Sequence, residues 1–191
     1  MTMEEMLEKL LVELKGATKI VFMGIGEEKL TDDGVGPYII SKLYHKTSDR
    51  FLFLNAGVDP MARIDEVINF NPSHFVLFDT CTFNGPPGTI AILKRDNIAE
   101  HVPISSHTIP VHIVIDLIGE KLPGIKSFMI GFVPESLEGF DELKIYKQGE
   151  LSIDELNENE EIPFFEIQLT ETVQKVADQI IEIVEMIMIK L

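Results

Sequence analysis

The sequence contains a single cysteine, few basic residues and no long apolar run. With Cys81 as its one cysteine, the chain of 191 residues has no partner for an intramolecular disulfide and cannot build a metal site from several thiolates. Only 16 basic residues stand against 32 acidic ones, which gives a net charge of −16 at pH 7. A surface of that sign repels phosphate backbones and anionic lipids, so we expect neither nucleic acid nor a membrane as a partner.

The chain also lacks a stretch that could span or enter a membrane. A spanning helix needs about 20 consecutive apolar residues, and the long apolar pattern near the C-terminus is interrupted by Glu182 and Glu185. The first residues are acidic and lack the basic region and apolar run of a signal peptide. We therefore expect a cytoplasmic protein. Its 45% hydrophobic and 25% charged residues are typical of an ordinary globular chain.

Apolar runs of strand length alternate with helical patterns along the chain, which predicts an α/β fold. We expect a three-layer α/β/α sandwich with a mostly parallel sheet of about five strands, in an order that the pattern does not reveal. The connection between the third and fourth strands is too short for a crossover helix, so the fourth strand is expected to be antiparallel. The predicted strands cover residues 19–24, 51–54, 74–78, 89–93 and 127–133.

A single domain over residues 1–191 is expected, with two additions to the alternating pattern. The first is an amphipathic N-terminal helix at about 2–15, and the second is an acidic excursion at about 135–165 that has no clear periodicity. A last helix should begin after Thr170. The other predicted helices cover about 34–45, 60–70 and 111–121.

The loop at residues 24–36 follows the first strand and leads into a helix, a position where open α/β sheets bind ligands. Lys29 stands where a dinucleotide-binding loop needs its third glycine, and the Gly-Lys-Ser/Thr of a phosphate-binding loop is missing. The loop is rich in oxygen ligands instead, which suits a metal ion or general acid–base chemistry. Its acidic residues are Glu27, Glu28, Asp32 and Asp33. The alternative is that Asp32 and Asp33 only cap the helix.

Three chemically capable side chains should meet at the carboxyl edge of the sheet. Asp33 follows the first strand, Asp79 ends the third, and His107 lies in the loop before a later helix. Two carboxylates and an imidazole form a three-ligand site for an ion such as Zn²⁺ or Ni²⁺, with positions open for water or substrate. Each residue also has a structural alternative, as a helix cap, a partner of the turn backbone or a brace within its own loop.

Cys81 lies two residues after Asp79, near the same edge. This placement is also compatible with a hydrolase that uses Cys81 as nucleophile and His107 as base. The alternative is a small cysteine buried in the core.

Three segments, residues 24–36, 76–79 and 105–110, carry a family resemblance. They contain Gly-Ile-Gly with Thr-Asp-Asp-Gly-Val-Gly, then Val-Leu-Phe-Asp, then Ser-Ser-His-Thr-Ile-Pro. In this order and at this spacing they resemble the hydrogenase maturation endopeptidases. The resemblance is strongest to the branch that processes the large subunit of energy-converting and formate-linked [NiFe] hydrogenases, and it spans most of residues 18–134.

The sequence departs from the family pattern at two places in the loops. Glu27 stands where the family usually has asparagine, and Asn55-Ala56-Gly57 replaces a frequent Asp-Gly-Gly. The N-terminal helix and residues 135–165 lie outside the resemblance.

The resemblance implies a peptidase that removes the C-terminal extension of a [NiFe] hydrogenase large-subunit precursor after nickel insertion. The family's metal-binding trio falls on Asp33, Asp79 and His107, which would bind Ni²⁺ carried by the precursor, or Zn²⁺ or another divalent ion in the isolated protein. Asp32, Asp79 or another carboxylate would accept the proton of the attacking water. The alternatives are a non-catalytic chaperone that binds nickel or the precursor, and a cysteine-dependent amidase that uses Cys81.

Overall fold

A five-stranded sheet forms the centre of the protein in the computed structural model, which describes residues 2–101, 109–138 and 167–191. The strand order is β2-β1-β3-β5-β4, with β4 antiparallel to β5 and the other pairs parallel. This confirms the predicted mostly parallel sheet and its antiparallel fourth strand. The strands are β1 Ile20–Ile25, β2 Phe51–Gly57, β3 His74–Thr80, β4 Ile90–Lys94 and β5 Lys126–Phe132.

Helices cover both faces of the sheet. Helices α1, α2 and α6 pack on one face, and α3, α4 and α5 pack on the other, so that each face has its own apolar core. This three-layer arrangement confirms the predicted fold class. The α-helices of the described residues are α1 Met3–Glu13, α2 Val35–Leu43, α3 Ile64–Phe70, α4 Arg95–His101, α5 Val111–Lys121 and α6 Glu171–Lys190.

Strand β3 shows how the alternation of side chains divides the two cores. Val76 and Phe78 belong to the core under α2 and α6, whereas Phe75 and Leu77 belong to the core under α3 and α5. All four are fully buried, as expected for a central strand covered on both faces. The same alternation directs the side chains that follow them at the carboxyl edge.

Some predicted bounds change in the structure. Strand β2 runs on to Gly57, because its last residues continue to pair with β1. Strand β3 extends to Thr80, so Asp79 lies within the strand instead of following it. Helix α4 was not predicted, since its seven polar-rich residues carry little periodicity. Most of the predicted acidic excursion at 135–165 lies outside the described residues.

Both ends of the described chain are capped helices. Thr2 and Glu5 form a reciprocal capping box at the start of α1, and the Thr170 side chain accepts a hydrogen bond from the Val173 N–H at the start of α6.

None of the helices in the described part of the chain combines the length and the hydropathy that a bilayer span requires.

Helix α2 approaches the sheet more closely than a side chain would allow. A Cβ atom at Gly36 would lie 2.5 Å from the carbonyl oxygens of Ile25 and Phe78. These oxygens belong to the backbone at the ends of β1 and β3, so they cannot move aside easily. Because Gly36 has no side chain, the start of α2 can pack directly against the carboxyl edge of the sheet.

Gly36→Ala is expected to lower the free energy of unfolding by about 3 kcal/mol, because the new methyl group overlaps rigid backbone. Gly119→Ala is the matched control. Gly119 lies in α5 with no atom within 4 Å of an added Cβ, so alanine there should raise stability by roughly 0.5–1 kcal/mol. Urea denaturation of both variants measures the difference, and equal stability of the two would contradict the packing argument.

Candidate active site

Two buried carboxylates lie at the carboxyl edge of the sheet. Asp33 belongs to a short 3-10 turn, Thr31–Gly34, that precedes α2, and Asp79 is the second-last residue of β3. Their relative exposures are 3% and 0%. A carboxylate buried to this degree requires hydrogen-bond donors to offset its lost hydration.

Thr80 supplies a donor to each of these carboxylates. Its backbone N–H donates to Asp79 Oδ1 at 2.7 Å, and its hydroxyl donates to Asp33 Oδ1 at 3.1 Å. The second oxygen of Asp33 accepts the N–H of Glu27 at 2.8 Å. Thr80 therefore contacts the carboxylates of two segments that are distant in sequence.

Gly26 allows the loop to close over Asp33. It has a φ of +134°, and a Cβ atom there would lie 1.8 Å from the carbonyl oxygen of Asp33. Its N–H donates to the carbonyl oxygen of Gly57 at 2.9 Å, which ties the loop to the end of β2. Only glycine fits this backbone conformation and this close approach.

The neighbouring Asp32 has a structural role. Its carboxylate is fully buried and accepts the backbone N–H groups of Glu135 and Ser136 at 2.8 and 3.0 Å. It also accepts the N–H of Thr170 at 2.8 Å and the Thr170 hydroxyl at 3.0 Å. Asp32 thus joins the loop after β1 to the segment after β5 and to the start of α6.

These contacts decide between the roles expected for the acidic pair. The residue that caps α2 is Gly34, and neither aspartate forms a side-chain cap on this helix. The capping interpretation of Asp32 and Asp33 is therefore wrong. Asp32 is also a poor general base, because four donors from two other segments already occupy its oxygens.

His107, the third predicted ligand, lies outside the described residues, as does all of 102–108. The residue just before this gap is tied to the edge of the sheet. The carbonyl oxygen of His101 accepts both the N–H and the hydroxyl of Thr82, at 2.7 and 3.0 Å. Within residues 2–101, 109–138 and 167–191, no three His, Cys, Asp or Glu side chains form a group that could hold a metal ion.

Cys81 is buried in the core under α3 and α5, with 1% relative exposure. A Cβ atom at Gly131 would lie 2.7 Å from its Sγ, so the thiol packs directly against β5. Burial, together with the nearby charge of Asp79, raises the pKa of the Cys81 thiol to about 12. The thiol therefore stays protonated at neutral pH, which favours the structural interpretation of Cys81 over a nucleophile.

Sequence reasoning missed Thr80 and the hydrogen bond from the Glu27 N–H. A signal for Thr80 was present, because side chains alternate along a strand. Phe78 and Thr80 lie on the face of β3 that is covered by α2 and by the turn before α2, which contains Asp33. No comparable local signal marks the N–H of Glu27.

Asp32→Asn is expected to lower the free energy of unfolding by about 3 kcal/mol, because the amide NH₂ replaces an acceptor and faces other donors. Asp59→Asn makes the same chemical change at an exposed position and should alter stability by less than about 0.5 kcal/mol. Thermal and urea unfolding of the two variants test this. If Asp32→Asn is as stable as the control, the hydrogen bonds that Asp32 accepts from Glu135, Ser136 and Thr170 do not contribute to the free energy of unfolding.

Comparisons with known proteins agree with this architecture. A family model described as hydrogenase maturation protease matches residues 37–158, a span that includes Asp79 and His107 and begins four residues after Asp33. The fold is similar to a crystal structure of a [NiFe] hydrogenase maturation protease from Thermococcus kodakarensis. That similarity has a TM-score of 0.70 at 23% identity and covers 92% of this chain and 96% of the other.

Curated relatives carry the same description. A protein of Methanocaldococcus jannaschii named as a hydrogenase maturation protease is 31% identical over 141 residues, which is 70% of this chain and 82% of that protein. The hydrogenase 3 maturation protease of Escherichia coli is 26% identical over 117 residues, or 59% of this chain and 75% of that protein. Since the family model covers more than half of the chain, the protein belongs to the hydrogenase maturation protease family.

Proposed function

We propose that this protein is the endopeptidase that removes the C-terminal extension of a [NiFe] hydrogenase large-subunit precursor after nickel has been inserted. Membership of the protease family supports the peptidase activity. The observation that carries the finer proposal is the pair of buried, hydrogen-bonded carboxylates, Asp33 and Asp79, at the carboxyl edge of the sheet. Such a rigid oxygen-rich edge suits a substrate that presents a divalent cation.

In this proposal Asp33, Asp79 and His107 bind the nickel of the precursor, so the metal is part of the substrate. Each Asp33 oxygen accepts one of the two bonds from Thr80 and Glu27, and a carboxylate oxygen has a second lone pair with which to bind a cation. Imidazole and carboxylate ligands together suit Ni²⁺ and also Zn²⁺. The isolated protein would therefore bind Zn²⁺ or another divalent ion through the same donors.

Nickel binding would fix the extension against the edge of the sheet, where a water attacks the carbonyl carbon of the scissile peptide bond. Asp79, or a carboxylate that does not bind the nickel, accepts the water proton and returns it to the leaving amine. Asp32 is not assigned this role, because its oxygens are occupied by donors from the Glu135–Ser136 segment and from Thr170. The nickel would also polarise a nearby carbonyl as a Lewis acid.

Cleavage is expected only when the precursor carries nickel, because the metal completes the recognition of the extension. Mixing the protein with nickel-loaded and nickel-free precursor, and following the loss of the extension by intact-protein mass spectrometry, tests this. Equal cleavage of both forms would remove the metal from recognition. Tight binding without cleavage would instead indicate a chaperone.

Variants in the same assay link the activity to the assigned residues. Asp33→Asn and His107→Ala should each lower the cleavage rate at least about 100-fold, since removal of a ligand weakens both recognition and positioning. His45→Ala replaces an exposed histidine at a helix end and should cleave at the wild-type rate. Circular dichroism confirms that each variant is folded. A folded His107→Ala variant with wild-type activity would exclude His107 from the site.

Cys81→Ala should retain processing within about twofold of wild type, because the buried, protonated thiol is not the nucleophile. Its stability should fall slightly, as expected for a small cavity in the core. The comparison is made at matched protein concentration below the melting temperature of both proteins. Complete loss of cleavage in a folded Cys81→Ala variant, with cleavage in the wild type resistant to chelators, would favour the cysteine amidase.

A further inference from the structure

Thr80 is placed between the two site carboxylates, and we propose that its hydroxyl is the group that positions Asp33 for the reaction. This inference rests on the proposed function. Thr80 contacts Asp33 with its side chain and Asp79 with its backbone N–H, at 3.1 and 2.7 Å. Thr80 is thus a positioning residue, since it acts through Asp33.

The hydrogen bonds to Asp33 come from two different segments and reach different oxygens. The Thr80 hydroxyl reaches Oδ1 from the end of β3, and the Glu27 N–H reaches Oδ2 from the loop after β1. Two donors on opposite oxygens determine the rotation of a carboxylate about its Cβ–Cγ bond. Without the hydroxyl, the bond from the Glu27 N–H would be the one hydrogen bond left on this carboxylate among the described residues, and the rotation of its plane would be less constrained.

Packing alone does not require a hydroxyl at this position. Val76 and Phe78, which precede Thr80 on the same face of β3, are apolar and fully buried. Thr80 itself has 7% relative exposure, and valine has almost the same shape. A buried hydroxyl lowers stability unless it is hydrogen-bonded, and here its bond goes to Asp33. The property of threonine that valine lacks is therefore the donor to this carboxylate.

Substitutions at position 80 can test the hydrogen bond to Asp33 separately from the hydrogen bond to Asp79. The bond to Asp79 comes from the backbone N–H, which every residue except proline retains. The bond to Asp33 comes from the side chain. A change of side chain at position 80 therefore disturbs the support of Asp33 and leaves the N–H bond to Asp79 in place.

The test compares Thr80→Val with Thr80→Ser in the cleavage of nickel-loaded precursor. Thr80→Val keeps the shape and loses the donor, so kcat/KM should fall about tenfold to 100-fold, the range measured when a ligand-supporting partner is removed. Thr80→Ser loses a methyl group and keeps the donor, so kcat/KM should stay within about threefold of wild type. If the role of Thr80 is purely structural, folded Thr80→Val should have the kcat/KM of the wild type.

A second readout does not depend on activity. Crystal structures of the two variants should show the Asp33 carboxylate rotated in Thr80→Val and unchanged in Thr80→Ser, with Asp79 bound to the N–H of residue 80 in both. If Thr80→Val does not fold, Thr80→Ala removes the hydroxyl without adding bulk and replaces it in both experiments.

The outcomes separate the two proposals. If wild-type protein cleaves nickel-loaded precursor and Thr80→Val matches it, the positioning role of Thr80 is wrong and the proposed function stands. If Thr80→Ser loses as much activity as Thr80→Val, the hydroxyl is not the relevant group and the inference is again overturned. If the wild type does not cleave nickel-loaded precursor, the proposed function fails and the inference fails with it.

Discussion

The close approach of helix α2 to the ends of β1 and β3 is the constraint on which the rest of the site depends. Gly36 permits it, because any side chain there would overlap the carbonyl oxygens of two strands. The approach places the turn at Thr31–Gly34 directly over the carboxyl edge of the sheet. Asp33 can then accept a hydrogen bond from Thr80 at the end of β3, although the two residues are 47 positions apart along the chain.

The adjacent residues Asp32 and Asp33 are both buried, but their carboxylates accept hydrogen bonds from different segments. Asp32 accepts donors from the segment after β5 and from the start of α6, so it holds together parts of the chain that are distant in sequence. Asp33 accepts donors from Thr80 and the Glu27 N–H, which orient it toward the end of β3. Asp32 thus stabilises the loop, whereas Asp33 is the residue to which the proposed function assigns a role in the site.

This division is consistent with the proposed function, in which the substrate brings the metal to a protease of the hydrogenase maturation family. A site that borrows a cation does not need a complete set of resident ligands, but its donors must be oriented before the substrate arrives. The hydrogen bonds to Asp33 and Asp79 provide such an orientation within the protein itself. Burial of both groups in the sheet edge further limits their movement.

The sequence by itself determined most of the secondary-structure elements and the family to which the chain belongs. Apolar runs predicted the five strands, the short connection predicted an antiparallel β4, and the bounds of α5 agree with the predicted 111–121. The motifs predicted the family and Asp33, Asp79 and His107 as the site, with His107 outside the described residues. Only the tertiary structure decided the strand order, the hydrogen bonds that Asp32 accepts, the burial of Cys81 and the hydrogen bond from Thr80 to Asp33. Each of these depends on contacts between segments far apart in sequence, and local periodicity does not encode such contacts.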